Sequence, residues 1–453
     1  MPNNPINIMK KEEILKILED WNFWKKDLET GIKRDFYLEK LKKLLLNEQI
    51  IVITGARRSG KSFIMRQLAK DLMEKGTDKN QILIVNFEDP RFTELNVSLL
   101  QKIYETYLEF LSPKGNPYIF LDEVQEIEKW EKWVLMIQEL KKAQIIISGS
   151  NAKLLSREFS TLLSGRHLDS NILPLSFKEF LEFRNLEIKD KLDLISNEIK
   201  IKSLLRDYFE NGSFPKVVLN ENKKEILLTY FNDLLEKDLV KRYKIRKGEK
   251  LKELLKFYFS NISSLTTFSS LEKSLGISAD TIEKFSGYFE NAHLLFFLKK
   301  FSFKVKEQEK SPRKVYGIDS GLANTVGFKF SQNLGKIAEN IVFLKFLKEK
   351  SQDPNLEIFY WKDEQHREVD FLIKERNTIK RIYQVCWDLS DFKTKDREVK
   401  SLLKAMEELN LKEGFILNED FEGEEKIKNK KIKFLPLWKW LLELSSDGIR
   451  SLS

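Results

Sequence analysis

Residues 51–66 read IVITGARRSGKSFIMR. A β-branched run ends in a loop of small residues carrying two arginines, and Lys61-Ser62 then opens a helical pattern. Ile50–Thr54 (IIVIT) predicts a short buried strand. After Ser62, Ile64, Leu68 and Leu72 recur at helical spacing with Met65, Ala69 and Met73 beside them, and Gly76 is placed to stop the helix. The loop from Gly55 to Ser62 fits G-x-x-x-x-G-K-[ST]. In a strand–loop–helix setting its backbone N–H groups point inward at phosphates, and the helix dipole adds to them. Lys61 is expected to reach the β- and γ-phosphates and Ser62 to ligate Mg²⁺. Gly55, Ala56, Arg57, Arg58, Ser59, Gly60 and Phe63 complete the expected nucleotide contacts.

The second signal is YIFLDEVQ (118–125), an apolar strand ending in two carboxylates. Asp122 is placed to hold the Mg²⁺ shell, and Glu123 to polarise the attacking water. The plainer reading is a surface acid pair capping the next helix, whose apolar stripe is Trp130, Trp133, Val134 and Ile137. A third apolar run, QIIISGSN from Gln144, ends in Ser148, Ser150 and Asn151. Such residues at a strand's C-terminal end either orient water near the γ-phosphate or simply make a turn. ILIVNFED (82–89) predicts another strand of the same sheet, with Glu88 and Asp89 facing the nucleotide or solvating a loop. No N-K-x-D guanine-reading sequence occurs, which favours ATP over GTP.

At 453 residues the chain predicts roughly three domains. The net charge of +9 permits an acidic partner without demanding one, because 70 acidic residues are interleaved with 79 basic ones. The one cysteine, Cys386, excludes an intramolecular disulfide and a cysteine-based zinc cluster. No run reaches about 18 apolar residues and none has the form of a signal peptide, so a cytoplasmic protein without a membrane partner is expected.

GARRSGKS, LDEVQ, ISGSNAKLLS, LLSGRHL and LPLSFKEFLEF, in this order, resemble a large family of prokaryotic AAA+-like ATPases common in archaea and thermophilic bacteria. The resemblance runs from about Trp21 to the C-terminus. In that family a P-loop domain precedes a winged helix and a restriction-endonuclease-like fold. The resemblance implies phosphate and Mg²⁺ roles for Lys61 and Ser62, and metal and water roles for Asp122 and Glu123. It also implies that Ser150 or Asn151 is the sensor. It makes Arg166, in LLSGR, an arginine finger or its in-cis equivalent, although a lone arginine after a glycine turn is usually a surface residue. GIKRDF (31–36) resembles the family's segment near the nucleotide base.

From about Phe183 to Arg246 the pattern is helical, with GSFPKVV (212–218) as an interruption, and the resemblance implies a lid over the nucleotide. Residues 251–303 outline a winged helix: short helices, a turn at Gly276 and a hairpin closing through Phe301. Its helix from Ser278 to Phe289 carries Lys284 among Asp280 and Glu283, with Glu290 following. That is poor in base for a groove reader and favours intramolecular or subunit docking. The last segment begins near KVYGIDSGLAN (314–324). It continues with a helix 334–350 carrying Glu339, a strand REVDFLI (367–373) with Asp370, and a strand RIYQVCWD (381–388). By the resemblance this is the order of a nuclease-like core, but Gln384 and Cys386 stand where its E-x-K would be. Glu339, Glu368 and Asp370 remain as acids, and a catalytically inactive scaffold is expected. KIKNKKIKF (426–434) is a basic strand pair able to touch phosphates.

The expected fold is α/β: an AAA+-like P-loop NTPase with a parallel sheet and helical lid, then a winged helix and a restriction-endonuclease-like domain. The expected boundaries are 1–48 for an N-terminal helical segment, 49–185 for the ATPase core, 186–248 for the lid, 249–303 and 304–453. The expected function is Mg²⁺-dependent ATP hydrolysis acting on or with DNA through the C-terminal half, in a possible homo-oligomer. The alternatives are a nucleotide-controlled switch recruiting a protein partner and an ATP-driven nuclease.

Overall fold

The computed structural model describes residues 9–150, 165–246, 248–328 and 333–442. The chain divides into two compact units, 1–172 and 173–453.

The first unit is built on five five-residue strands; the apolar character of the first four leaves little choice but burial, while the fifth, HLDSN, is polar. They are β1 (Ile50–Thr54), β2 (Ile82–Asn86), β3 (Tyr118–Asp122), β4 (Gln144–Ser148) and β5 (His167–Asn171). All pair in parallel, in the order β2-β3-β4-β1-β5. β1 is buried at every position, as a central parallel strand covered on both faces must be. Helices α1 (Lys11–Trp21), α2 (Asp35–Leu45), α3 (Lys61–Glu74), α4 (Val97–Leu111) and α5 (Trp130–Glu139) supply the cover. One core joins α1, α4 and α5 through Leu18, Tyr107 and Val134; the other joins α2 and α3 through Leu38 and Leu68. Residues 9–48 of the expected N-terminal segment therefore contribute to this unit's cores. They also protect the exposed edge strand: Asn22 bonds both the N–H and the C=O of Ile84, at 2.7 and 2.8 Å, and the Trp24 indole donates to Ile82 O at 2.9 Å.

In the second unit the helical stretch contains α6 (Phe177–Phe183), α7 (Glu198–Asn211) and α8 (Lys223–Asp233), the last running into a π-helix at Leu234–Lys241. There follow α9 (Gly248–Ser260), β6 (Ser264–Thr266), α10 (Phe268–Leu275), α11 (Ala279–Asn291), β7 (Leu295–Leu298) and β8 (Arg313–Gly317). These strands form an antiparallel sheet in the order β6-β8-β7. The hairpin does not close at Phe301: the partner of β7 is β8, ten residues and more downstream, so the expected boundary at 303–304 falls inside the hairpin.

After α12 (Ser320–Val326), α13 (Leu334–Lys350) leads into β9 (Leu356–Lys362), β10 (Glu368–Glu375) and β11 (Thr378–Val385). Then come α14 (Phe392–Glu408), β12 (Glu413–Asn418), β13 (Gly423–Ile427), β14 (Lys430–Pro436) and α15 (Leu437–Leu442). The six strands make one mixed sheet ordered β13-β14-β12-β11-β10-β9. Among the described residues no helix is long and apolar enough to cross a membrane.

Candidate functional site

The loop after β1 is shaped by residues that tolerate unusual backbone. Gly55 has φ of 140°, and a Cβ there would lie 2.2 Å from Ile172 O, so only glycine fits. Gly60 has φ of 102° at the start of α3, and Arg58 also takes a left-handed conformation at 70°. Lys61 is buried and its ammonium turns back on the loop, donating to Gly55 O at 3.1 Å and Ala56 O at 3.2 Å. Thr54 Oγ1 and Ser59 Oγ are buried there without a hydrogen-bond partner.

The order of the sheet brings the acids to this loop. β4 lies between β1 and β3, so the ends of all three strands are neighbours. Asp122 ends β3, and Glu123 follows at φ 52°, ψ 45°, a strained conformation for a residue with a side chain. Both are buried. Glu123 Oε1 lies 3.6 Å from Lys61 Nζ, while its other oxygen accepts from the Gln125 amide and, at 3.2 Å, from Ser150 N–H. Asp122 accepts hydrogen bonds from the hydroxyls of Ser62 and Ser148, and Glu123 N–H donates to Ser148 Oγ at 3.2 Å.

Burial first, and then the Glu123 charge, push the Asp122 carboxyl above its ordinary value. Burial also acts upward on Glu123. There Lys61, Gln125, Arg57 and the Ser150 N–H outweigh it, leaving Glu123 below the usual range and charged. A buried carboxylate and a serine hydroxyl in contact offer oxygen donors of the kind a hard divalent ion takes. The residues present therefore fit Mg·nucleotide, with Lys61 for phosphate and Ser62 and Asp122 for the metal.

Around this centre, Arg57 pairs with Glu88 at 2.7 Å, so Glu88 braces the loop. Asp89 does not face the site: it accepts from the Trp21 indole at 2.8 Å and from Arg91 at 2.7 Å. Arg34 donates to Ser59 O at 2.9 Å, and Gln67 of α3 donates to Thr30 O and Ile32 O at 2.7 and 2.8 Å. Gly31 lies against the Phe63 ring, which also carries Arg66 at 4.4 Å from its centroid. Thus residues 29–34 lie beside the residue that follows Ser62. Arg34 falls in the GIKRDF segment expected near the base, whereas Gln67 was not legible as a site residue because it belongs to no spaced motif.

Two expected residues are not brought to this centre among the described residues. Asn151 lies outside the described residues. Arg166 precedes β5, whose first residue pairs with Ile50, and its carbonyl accepts from Ile50 N–H at 3.1 Å. It therefore sits at the opposite end of β1 from the phosphate loop, about 15 Å away for five strand residues. Its guanidinium pairs with Glu139 on the surface. Arg166 thus stands away from its own chain's phosphate loop.

In the second unit Gln384 bonds the Asp370 N–H and Glu398, at 3.2 and 2.6 Å. Burial pushes the Cys386 thiol up to about 12, so it stays protonated. In 426–434, Lys431 pairs with Glu424 at 2.6 Å and Lys433 with Glu413 at 3.4 Å, while Lys430 donates to the carbonyls of Met406 and Leu411. Helix α11 exposes Asp280, Glu283, Lys284 and Glu290.

An AAA domain family matches residues 47–181, and two domains of unknown function match 202–333 and 334–440. An uncharacterized protein of Methanocaldococcus jannaschii is 37% identical over 415 residues, which cover 88% of this chain and 89% of that protein. One of Haemophilus influenzae is 33% identical over 325 residues, covering 70% and 79%. Among solved structures, a Walker-type ATPase of Pyrococcus abyssi aligns over 68% of this chain and 99% of its own at 13% identity and a TM-score of 0.43. AMPPCP-bound DnaA from Aquifex aeolicus aligns over 72% and 96% at 14% identity and a TM-score of 0.27. These scores are too low to argue from.

Proposed function

The chain belongs to the family of AAA-domain proteins that includes these Methanocaldococcus and Haemophilus proteins, and from that premise we propose that it is a Mg²⁺-dependent ATPase acting on DNA. The observation that carries the ATPase reading is the convergence of Lys61, Ser62, Asp122 and Glu123 at the ends of β1 and β3. Lys61 binds the terminal phosphates, and the loop N–H groups bind the rest of the chain of phosphates. Ser62 and Asp122 hold Mg²⁺, which would supply charge neutralisation on the phosphate oxygens. Glu123 takes the proton of the attacking water, and Ser150 N–H holds that carboxylate in place. Phe63 and residues 29–34 offer the surface for the base.

Lys61→Ala should abolish measurable nucleotide binding in calorimetry, because it removes the cation at the centre of the cradle. Glu123→Gln should bind ATP normally and turn it over about 10²–10⁴-fold more slowly. Loss of binding with Glu123→Gln would refute its role as base.

What supports the DNA reading is the connection between β7 and β8. The helix–strand–helix–helix–strand order of α9 to β7, closed by β8 after a short helix at Val305–Lys310, suits a winged helix with that connection as its wing. Lys304, Lys306 and Lys310 make no ion pair among the described residues, and Phe303, 81% exposed, stands beside them. An aromatic among free lysines suits a phosphate backbone with bases to stack. Duplex binding should weaken with salt by roughly 0.9 log unit per log unit of salt for each phosphate neutralised. Replacing Lys304, Lys306 and Lys310 by alanine should lower that slope by about 2–3. An unchanged slope would move the proposal to the second reading, a nucleotide-controlled switch for a protein partner. That reading is favoured by the acidic exposed face of α11.

A further inference from the structure

Three carboxylates in the second unit converge on one point. Glu339 of α13 lies 3.0 Å, Glu368 of β10 2.7 Å and Asp370 of β10 2.6 Å from the same atom, Nζ of Lys314. The lysine side chain is 3% exposed and those of Asp370 and Glu339 are 7% and 11% exposed. Oxygens from separate elements gathered around one centre are how proteins hold a hard divalent cation. Here the cation is an ammonium of the chain itself.

Lys314 comes from β8, whose strand partners are β6 and β7, whereas the acids belong to the six-stranded sheet and its helix. Two further attachments follow on the same strand. Tyr316 donates to Glu339 at 2.7 Å and stacks on Phe343 at 4.2 Å between centroids. Gly317 exchanges both backbone groups with the Asn340 amide, at 2.7 and 2.9 Å. The second oxygen of Asp370 is already taken by Val385 N–H at 2.8 Å. Glu368 is shared with Lys362 at 3.1 Å. The cluster is thus satisfied by groups of the protein, as buried charges must be.

We propose that Lys314 is a built-in cation that neutralises Glu339, Glu368 and Asp370 in place of a divalent ion, and thereby interlocks the three-stranded sheet with the six-stranded one so that they move as a single body. Drawing β8 away would leave three carboxylates facing one another in a buried pocket and an ammonium without partners. A hinge between the two sheets is therefore closed off. The interlock does not depend on the ATPase reading.

The test uses the full chain without nucleotide. Lys314→Met should lower Tm by roughly 6–15 °C, since one partner of a buried charge cluster is removed. It should also speed hydrogen exchange in 313–317 and 334–350 together. Adding Glu339→Gln and Asp370→Asn to Lys314→Met should recover at least half of the lost Tm. If the single variant does not fold, a folded triple variant still supports the interlock and an unfolded one overturns it. Millimolar Mn²⁺ should raise the Tm of Lys314→Met by roughly 2–4 °C more than that of the unaltered chain. Adding Asp370→Asn should remove that gain. The phosphate loop is common to all these proteins, so the difference reports this cluster. A Lys314→Met chain as stable as the original would overturn the interlock. No extra response to Mn²⁺ would overturn the claim that Lys314 takes a metal's place.

Discussion

Lys61 rests on two loop carbonyls and stands 3.6 Å from Glu123, so an arriving phosphate offers it stronger partners than it now has. Until then the Lys61 charge helps hold Glu123 ionised against burial, which is the state a base needs. Arg57 and Glu88 stiffen the same loop. Asp89, one residue further, is a structural group. Arg91 above all holds its carboxyl well below the usual carboxylate range, with Trp21 assisting. A carboxyl depressed in the folded state stabilises the fold above its unfolded value, near 3.9, and that contribution disappears as pH falls through the folded value. Asp89→Asn should therefore lower Tm by roughly 2–4 °C at pH 7, and by progressively less as the pH is taken below 4. A penalty that is constant with pH in thermal melts would show that hydrogen bonding, not charge, is what Asp89 contributes.

Among the elements, β4 and β8 decide most. β4 is inserted between β1 and β3, and this alone makes Ser148 and Ser150 neighbours of both carboxylates. β8 is the central strand of its sheet: β6 and β7 each pair with it and not with each other. A chain ended at residue 303 would leave both with open edges and uncover buried Leu295 and Phe297. It should aggregate on expression. A chain ended at 172 keeps both cores of the first unit, which draw no residue from beyond that point. It should remain soluble and melt cooperatively. Size-exclusion chromatography and circular dichroism on the two truncations check this, and a monomeric, folded 1–303 chain would contradict it.

At the scale of the whole molecule, the position of Arg166 bears on assembly. It lies at the far end of β1 from its own phosphate loop, exposed and paired with Glu139. From this position we infer that a finger role would act toward a neighbouring chain's nucleotide. Mixing Arg166→Ala with Glu123→Gln protein should then restore part of the ATPase activity, because hybrid sites combine an intact arginine with an intact base. Fingers supplied in trans are worth about 10³–10⁵-fold. Activity that merely averages the two variants, with assembly intact, would mean that Arg166 is the surface residue its ion pair suggests.

The phosphate loop, the acidic strand and the starts of β1 to β4 were legible in the sequence because they depend on local order. A five-residue apolar strand, a glycine at positive φ and a helix start are each written in consecutive residues. The convergence of Lys61 with Glu123 could be expected from two motifs in one parallel sheet. What only the tertiary structure decided is what joins residues far apart in sequence. Arg34 reaches Ser59, Arg166 falls at the wrong end of a strand, and β8 belongs to the preceding sheet. Lys314 was the least legible of all. A lysine at the start of an apolar strand carries no periodic signal, and its three partners come 25, 54 and 56 residues later from a different sheet and helix. Burial of an ammonium is tolerated only when such partners arrive together, and no local pattern records that they do.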